Sequence, residues 1–395
     1  MPNQVSQLTF YDAIEHLRDW SGGAGNIWNE NAAYSAVRRA LDELTKAAKW
    51  NYYWRTSRIN FEATYSTGTV AFDYTGGAYE RMLTLSSGTW PTNAAYGWVR
   101  IDSVNYRVAT RESSTIITLD SNSNPGADVA SGTSYEWFRS EYTLPVNFRQ
   151  MTHPILENTG PLWNTDPEDI ATMQRVAYAT GQPTQYAILG DDNTYGYHAI
   201  IVRPVATTAE TGDFLMQVWP RELKVAGIAD EDSSQAAGIT VTTSSTTATA
   251  SAAIFNSARH VGAIIRFGDT TNIPTGYEGR FPPVEERVIV SVTSSTVAVL
   301  DQALSTAVSA VKFRISDPVD IDRGMVTAFL RGCEAQFSAR TRDAKYIALA
   351  TKLYEDALLA AIGNDARTAS YSVAGEGYHP GMGSGYKIHG VVEYP

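Results

Sequence analysis

One cysteine, Cys333, stands among 395 residues. A lone thiol excludes an intrachain disulfide framework and argues against a cysteine-based metal site. Long apolar runs are missing too: no stretch nears the roughly 20 apolar residues that a membrane-spanning helix needs, so no membrane partner is expected. The opening MPNQVSQLTF has neither a basic segment nor an apolar run, and no signal peptide is expected from it. Positive charge is in short supply, with 31 Lys and Arg against 42 Asp and Glu and a formal net charge of −11. Such a chain repels a phosphate backbone unless its cations gather on one face. They do not gather in sequence, because VRRALDELTK mixes both signs on one expected helix. Gripping nucleic acid is argued against, whereas lining a passage through which nucleic acid slides suits like charge.

Catalytic patterns are missing as well. The six histidines, His16, His153, His198, His260, His379 and His389, show no metal-ligand spacing and no HExxH. GMGSGYK (381–387) resembles a phosphate loop only loosely, since its spacing fails and no strand or helix flanks it. The Ser/Thr runs contain no GxSxG elbow. The acidic pairs Asp191–Asp192 and Asp230–Asp232 lie in turn-like polar text and read as solvated loops. Trp20, Trp28, Trp50 and Trp54 flank helices and read as packing or interface anchors. No catalytic residue, metal ligand or cofactor site is therefore expected, and the chain reads as non-enzymatic.

What the sequence does contain is a repeat. SSTIITLD (113–120) is answered by SSTVAVLD (294–301), and 294 − 113 = 181 residues separate the copies. Upstream, WVRID and YRVATRE match IIRFGD and RVIVSVT; downstream, SYEWFRS matches AVKFRIS. The alternation Val288, Val290, Val292, then Val297 and Val299, has the period of a half-buried strand. Two related antiparallel β domains are expected, with Leu119 and Leu300 at equivalent core positions and a longer loop in the second copy between Asp269 and Glu286. Convergent Ser/Thr-rich strand composition is the competing reading.

Hydrophobic content of 43% with 18% charged residues marks a globular chain, and its length leads us to expect two to four domains. LTFYDAIEHLRDW carries Phe10, Ile14 and Leu17 at helical spacing; NENAAYSAVRRALDELTKAAKW carries Tyr34, Val37, Leu41, Leu44 and Ala48. Near the C-terminus, Val326, Phe329, Leu330, Cys333 and Phe337 form one stripe, and Ile347, Ala350, Tyr354, Leu358 and Ala361 another. Asp166 suits an N-cap with Pro167 at the first helical position. The expected architecture is α+β: a discontinuous helical body built from both chain ends, two related inserted antiparallel β domains, and an extended C-terminal arm. Its expected parts are a helical segment 1–62, a first β domain 63–142, a return to the body with helix and strands at 143–238, a second β domain 239–318, C-terminal helices 319–370, and a Gly/Tyr-rich docking arm 371–395.

Taken together, GTVAFDY…WVRID…YRVATRESSTIITLD…SGTSYEWFRSEYTLPVNFRQM, the strand pair in GQPTQYAIL…AIIVRP…FLMQVWPREL, and the amphipathic AKYIALATKLYEDALLAAI resemble the head-to-tail adaptor (connector or tail tubular A-like) proteins of tailed bacteriophages. The resemblance covers the helical segments and first β domain best; a second β domain departs from the smaller members and leaves its own role open. It implies a homo-oligomeric ring, commonly of twelve copies, in the virion neck. That ring would meet the portal on one side and a tail or nozzle protein on the other, with a fibre protein as a further partner. The genome would pass through it without sequence-specific binding, and assembly would take place in the host bacterial cytoplasm. Within the arm, Tyr371, Tyr378, His379, Tyr386 and Tyr394 are the expected anchors on portal or neighbour. The alternatives are a receptor- or carbohydrate-binding tail or fibre-attachment protein, which predicts a trimer or monomer, and a hydrolase of cell-wall or capsule polymer.

Overall fold

The computed structural model describes residues 7–22, 28–157, 160–176, 179–190, 198–226, 238–242, 244–268, 283–305, 307–311, 313–341 and 344–374. It is mixed α+β and sheet-rich, with 38% strand and 27% helix, and its two largest sheets are curled and antiparallel. Two compact units result: residues 1–52 with 220–395, and residues 53–219.

The first unit opens with helix α1 (Phe10–Trp20). Thr9 and Asp12 close a reciprocal capping box at its start, which satisfies two otherwise orphan N–H groups. Phe10, Ala13, Ile14 and Leu17 then fall on one face and are all buried. Helix α2 (Glu30–Ala47) starts at Asn29, whose side chain accepts the Ala32 N–H at 2.9 Å. Val37, Leu41 and Leu44 are buried as the spacing requires, while Tyr34 is half-buried and Ala48 lies just past the helix.

The unit 53–219 holds β1 (Trp54–Phe61) and then seven strands: β2 (Val70–Asp73), β3 (Met82–Leu85), β4 (Trp98–Ile101), β5 (Val104–Arg111), β6 (Ile116–Leu119), β7 (Val129–Thr133) and β8 (Tyr135–Phe138). These seven make one sheet in the order β7-β2-β3-β6-β5-β4-β8. The outermost strands, β7 and β8, are consecutive in the chain and joined through Ser134 alone, so the sheet has to curl to bring its two edges together. Val70, Phe72, Leu83, Val99, Ile101, Val108, Ile117, Leu119 and Trp137 fill its inside. The chain continues through β9 (Glu141–Thr143), β10 (Phe148–Met151), β11 (Ile155–Leu156), β12 (Gly160–Pro161), β13 (Trp163–Asn164), α3 (Pro167–Val176), β14 (Thr180–Gly181), β15 (Gln185–Leu189), β16 (Ala199–Arg203), β17 (Val205–Ala206) and β18 (Glu210–Val218). Asp166 accepts the Glu168 N–H at 2.8 Å, so it does cap α3. Strand β18 is the spine of a second sheet, β1-β18-β11-β12, with β10 also on β18; β13-β15-β16-β9 forms a third.

Back in the first unit come β19 (Ile239–Val241), β20 (Thr247–Ala250), the one-turn helix α4 (Ser257–His260), β21 (Ile264–Gly268), β22 (Pro283–Ser294), β23 (Val297–Leu300), β24 (Val308–Val311) and β25 (Phe313–Ser316). Their order, β24-β19-β20-β23-β22-β21-β25, is that of β2–β8 element for element. The register agrees too. Leu119 stands opposite Val108, and Leu300 opposite Ile289. The Asp120 N–H donates to Arg107 O, and the Asp301 N–H to Val288 O, at 2.9 Å each. The Ser113 hydroxyl accepts the Thr115 N–H and the Ser294 hydroxyl the Thr296 N–H, so the SST turns are built alike. Both copies bulge at the same point, between Val70 and Phe72 and between Ile239 and Val241. The residues there, Gly132 and Ala310, both have positive φ (95° and 50°), a conformation glycine adopts without cost and alanine only under strain. The copies part at one hairpin. Asp102 and Ser103, both left-handed, make a two-residue turn between β4 and β5, whereas residues 269–282 stand between β21 and β22. Most of the loop expected at 269–286 thus falls outside the described residues.

The first unit ends in α5 (Val326–Thr341), preceded by a 3-10 turn capped by Asp322, and α6 (Ala344–Ala374). Helix α5 packs against α1, α2 and α6. Phe329, Cys333 and Phe337 are fully buried; Val326 and Leu330 are half-buried. At Gly332 a Cβ would sit 3.2 Å from the Tyr354 ring and 3.4 Å from Ala40, so a bare backbone lets three helices approach here. Helix α6 runs through residues 371–374, so the first residues of the expected arm are helical.

Candidate interaction surfaces

Several polar side chains buried among the described residues fasten the fold. Asp317 is completely buried; its carboxylate accepts from Arg221 Nη2 at 2.7 Å and from the Lys224 and Val225 N–H groups at 2.6 Å each. It thereby ties the exit of β25 to the segment that leads into β19. Arg266 joins the same region, bonding Asp12 at 2.6 Å and Glu286 at 3.0 Å. In the other unit Arg139 pairs with Glu62 at 2.7 Å and lies over the Tyr142 ring at 4.6 Å, while Arg107 pairs with Glu141. Burial is the main reason the Tyr142 phenol is pushed far above its ordinary range. Each of these charges meets a counter-charge, which describes a clamp.

The histidines tell the same story. His16, expected on a solvated flank, bonds the buried Glu334 at 2.8 Å. His198 faces Leu189 O, and buried His260 accepts the Asn256 N–H. Burial works against the Glu334 charge, yet the bonds from His16 and Arg331 prevail and hold its carboxyl below the usual range. Among the described residues no group of three or more His, Cys, Asp or Glu could hold a metal ion. His379, His389 and the pairs Asp191–Asp192 and Asp230–Asp232 lie outside the described residues. Trp20 and Trp28 pack on Phe337, and Trp50 is buried with its N–H on Leu44 O, which is the packing role expected of them.

Among the described residues, two groups of exposed apolar side chains stand out. The first is the outer face of the β1-β18-β11-β12 sheet. Ile155 stands opposite Asp213 on one side and Pro161 on the other; Leu215 stands opposite Thr56. Trp163 follows two residues after Pro161, and its ring lies 6.2 Å from His153, which in turn lies 5.9 Å from Tyr186. Ile155, Leu215 and Trp163 are 55%, 45% and 64% exposed, with Pro161 and His153 exposed beside them. Ile155, Pro161 and Leu215 thus share one exposed face with the Arg58–Asp213 ion pair, and Trp163 stands on β13 of the neighbouring sheet; exposed apolar side chains gathered in this way mark an interaction surface.

The second is on α6. Ala350 and Ala361 are buried and Ile347, Tyr354 and Leu358 half-buried, as the expected stripe requires. Next to that stripe, Tyr346, Leu349 and Leu353 recur at i, i+3 and i+7 and are 59%, 57% and 37% exposed; Leu359 is exposed to 69%. The helix is therefore apolar over a wider arc than its contacts within the described residues cover.

Neither surface is among the residues singled out from sequence. Tyr371 lies in the last turns of α6, and Tyr378, His379, Tyr386 and Tyr394 lie outside the described residues. Trp163 had a readable signal, since Pro161 and Trp163 alternate with buried Leu162, but which parity faces water follows only from the sheet. Among the described residues no helix is long and apolar enough to cross a membrane. No family model, no curated protein and no solved structure matches this chain.

Proposed function

We propose that this chain is a structural virion subunit without an enzymatic role: a head-to-tail adaptor that forms a ring, joining the portal to the tail and lining the passage for DNA. In this reading the terminal helices form the body, the two β modules project from it as insertions, and the C-terminal arm reaches the portal or a neighbour. The observation that carries the reading is the unpartnered apolar arc of α6, which a subunit designed for life in an assembly needs and a free monomer does not. The net charge of −11 supports passage of DNA without adhesion. Tail or nozzle and fibre proteins are the further partners, and the virion neck is the proposed location.

Native mass measurement and averaged particle images of the expressed chain, alone and with portal rings, test this. A closed ring, of twelve copies or a nearby number, is expected on the portal; a monomer or trimer that ignores portal rings would overturn it. A chain ending at Ala374 should fold but fail to join portal-bearing heads, and normal joining would remove the arm from the proposal. The competing receptor- or carbohydrate-binding reading takes its support from exposed Trp163 beside His153. A trimer that binds a glycan through Trp163 would favour it.

A further inference from the structure

We infer that the open edge of β1 is completed by a strand from a second copy of this chain, its residues 386–394; the inference deepens the ring reading above and rests on it. Strand β1 is outermost in its sheet and pairs with β18 over eight consecutive residues, Trp54↔Gln217 to Phe61↔Glu210, without a bulge. About half the backbone N–H and C=O groups of such a strand point away from its one partner. Among the described residues, no backbone bond outside that ladder reaches residues 56–61. Proteins commonly blunt an exposed edge by short length, a bulge, proline or lysine. The other sheet edges are two to five residues long, whereas WRTSRINF runs to eight and has no proline, lysine or bulge. Its Arg58 is drawn toward β18 by Asp213 at 2.7 Å. A row of open backbone groups selects a strand as its occupant, because an extended chain presents the matching row.

The chain's own C-terminal text supplies such a strand. In YKIHGVVEY, Tyr386, Ile388, Val392 and Tyr394 share one parity, while Lys387, His389 and Glu393 share the other. The opposite end, MPNQVS, has no such alternation. Eleven residues, GEGYHPGMGSG, stand between Ala374 at the end of α6 and Tyr386, and five of them are glycine. That composition favours neither helix nor strand, so it reads as a spacer, and it spans at most about 40 Å. The two faces of β1 suit the two parities. Ile59 and Phe61 are buried on one face, and Thr56, Arg58 and Asn60 are exposed on the other. A paired strand lays each parity on one face. The apolar set thus extends the side of Ile59 and Phe61, and Lys387, His389 and Glu393 join the side in water. An arm folded onto its own β1 would link no subunits. Passed to the next copy, it gives every subunit one donated and one received strand, which is the heterologous contact that a closed ring requires.

Hydrogen exchange of the full-length chain, dilute, concentrated and on portal rings, tests the pairing. On association, the outward-facing amides of residues 56–61 are expected to exchange about tenfold more slowly or less than that again. Full-length Val392→Asp should lose this protection and keep the melting temperature of the parent, since it changes only the arm. Full-length Val391→Asp, of the other parity, should retain the protection. Protection that survives Val392→Asp would overturn the inference. Protection already complete in the dilute monomer would assign the arm to its own chain and overturn it equally. Rings that form on portals with residues 56–61 unprotected would overturn the strand pairing and leave the ring reading standing. Association that protects residues 56–61 but never closes a ring on portals would support the pairing and overturn the ring reading. A chain that stays monomeric in every setting would overturn both.

Discussion

Leu119 and Leu300 hold the same place in two different sheets, 300 − 119 = 181 residues apart: each faces a β-branched residue across the ladder, Val108 or Ile289, and each is at most 2% exposed. Their sheets agree in strand order, bulge position and turn chemistry, so the repeated text is repeated structure. Different strand connectivity would have reduced it to shared composition.

Because the two leucines belong to separate compact units, their loss should be felt separately. Leu119→Ala and Leu300→Ala should each cost about 2–5 kcal/mol, from lost burial and the cavity left behind. Calorimetry should show each variant lowering the melting of its own unit and leaving the other transition in place.

Leu44 is fully buried on α2, the helix that α5 packs against. Leu44→Asp places a carboxylate where nothing can solvate or pair it, at a cost larger than the roughly 1.5–3 kcal/mol that burying a leucine contributes. The variant should fail to yield soluble protein with a cooperative transition. A soluble, cooperatively melting Leu44→Asp chain would contradict the helix packing.

Burial, with nearby Glu334 adding to it, pushes the Cys333 thiol well above its ordinary range. The thiol should therefore stay unreactive toward an aromatic disulfide reagent at neutral pH and react fully once denaturant is added. Stoichiometric labelling of the folded chain would place Cys333 at the surface.

Glu334 gives the chain an acid-sensitive contact. Its folded carboxyl titrates below the unfolded value of about 4.5, so its contribution is complete above that value and is lost as the pH falls through the folded one. Glu334→Gln should remove about 1.5–3 kcal/mol at pH 7. The parent and variant should converge in melting temperature as the pH is lowered from 5 toward 3, which a pH series of thermal melts would record.

Much of this architecture was legible in the sequence because burial has a period. Phe10, Ile14 and Leu17 on α1, and Phe329, Cys333 and Phe337 on α5, followed from 3.6-residue spacing alone. The SST repeat gave the module twice, since a half-buried strand writes alternation that survives substitution. The candidate surfaces were harder to read. Tyr346, Leu349 and Leu353 carry the same helical period as a core stripe, and only the packing of α6 distinguishes covered from bare. Ile155 and Pro161 lie on strands two residues long, too short to show a period, and acquire a common face from β18, while Trp163 is placed by the pairing of β13 with β15. His16 looked solvated because its partner, Glu334, comes from a helix more than 300 residues further on.

The hairpin at Asp102 and Ser103 has one more consequence. In the other copy, fourteen residues, 269–282, stand where these two close the turn, and yet the strands on either side keep their register. By chain-closure entropy, that lengthening costs only about 2 kcal/mol. The strands align each other, and the turn merely connects them. This corner of the module is thus a socket for added sequence, filled in one copy and vacant in its twin, where a foreign loop could be grafted between Asp102 and Ser103 with the sheet beneath it undisturbed.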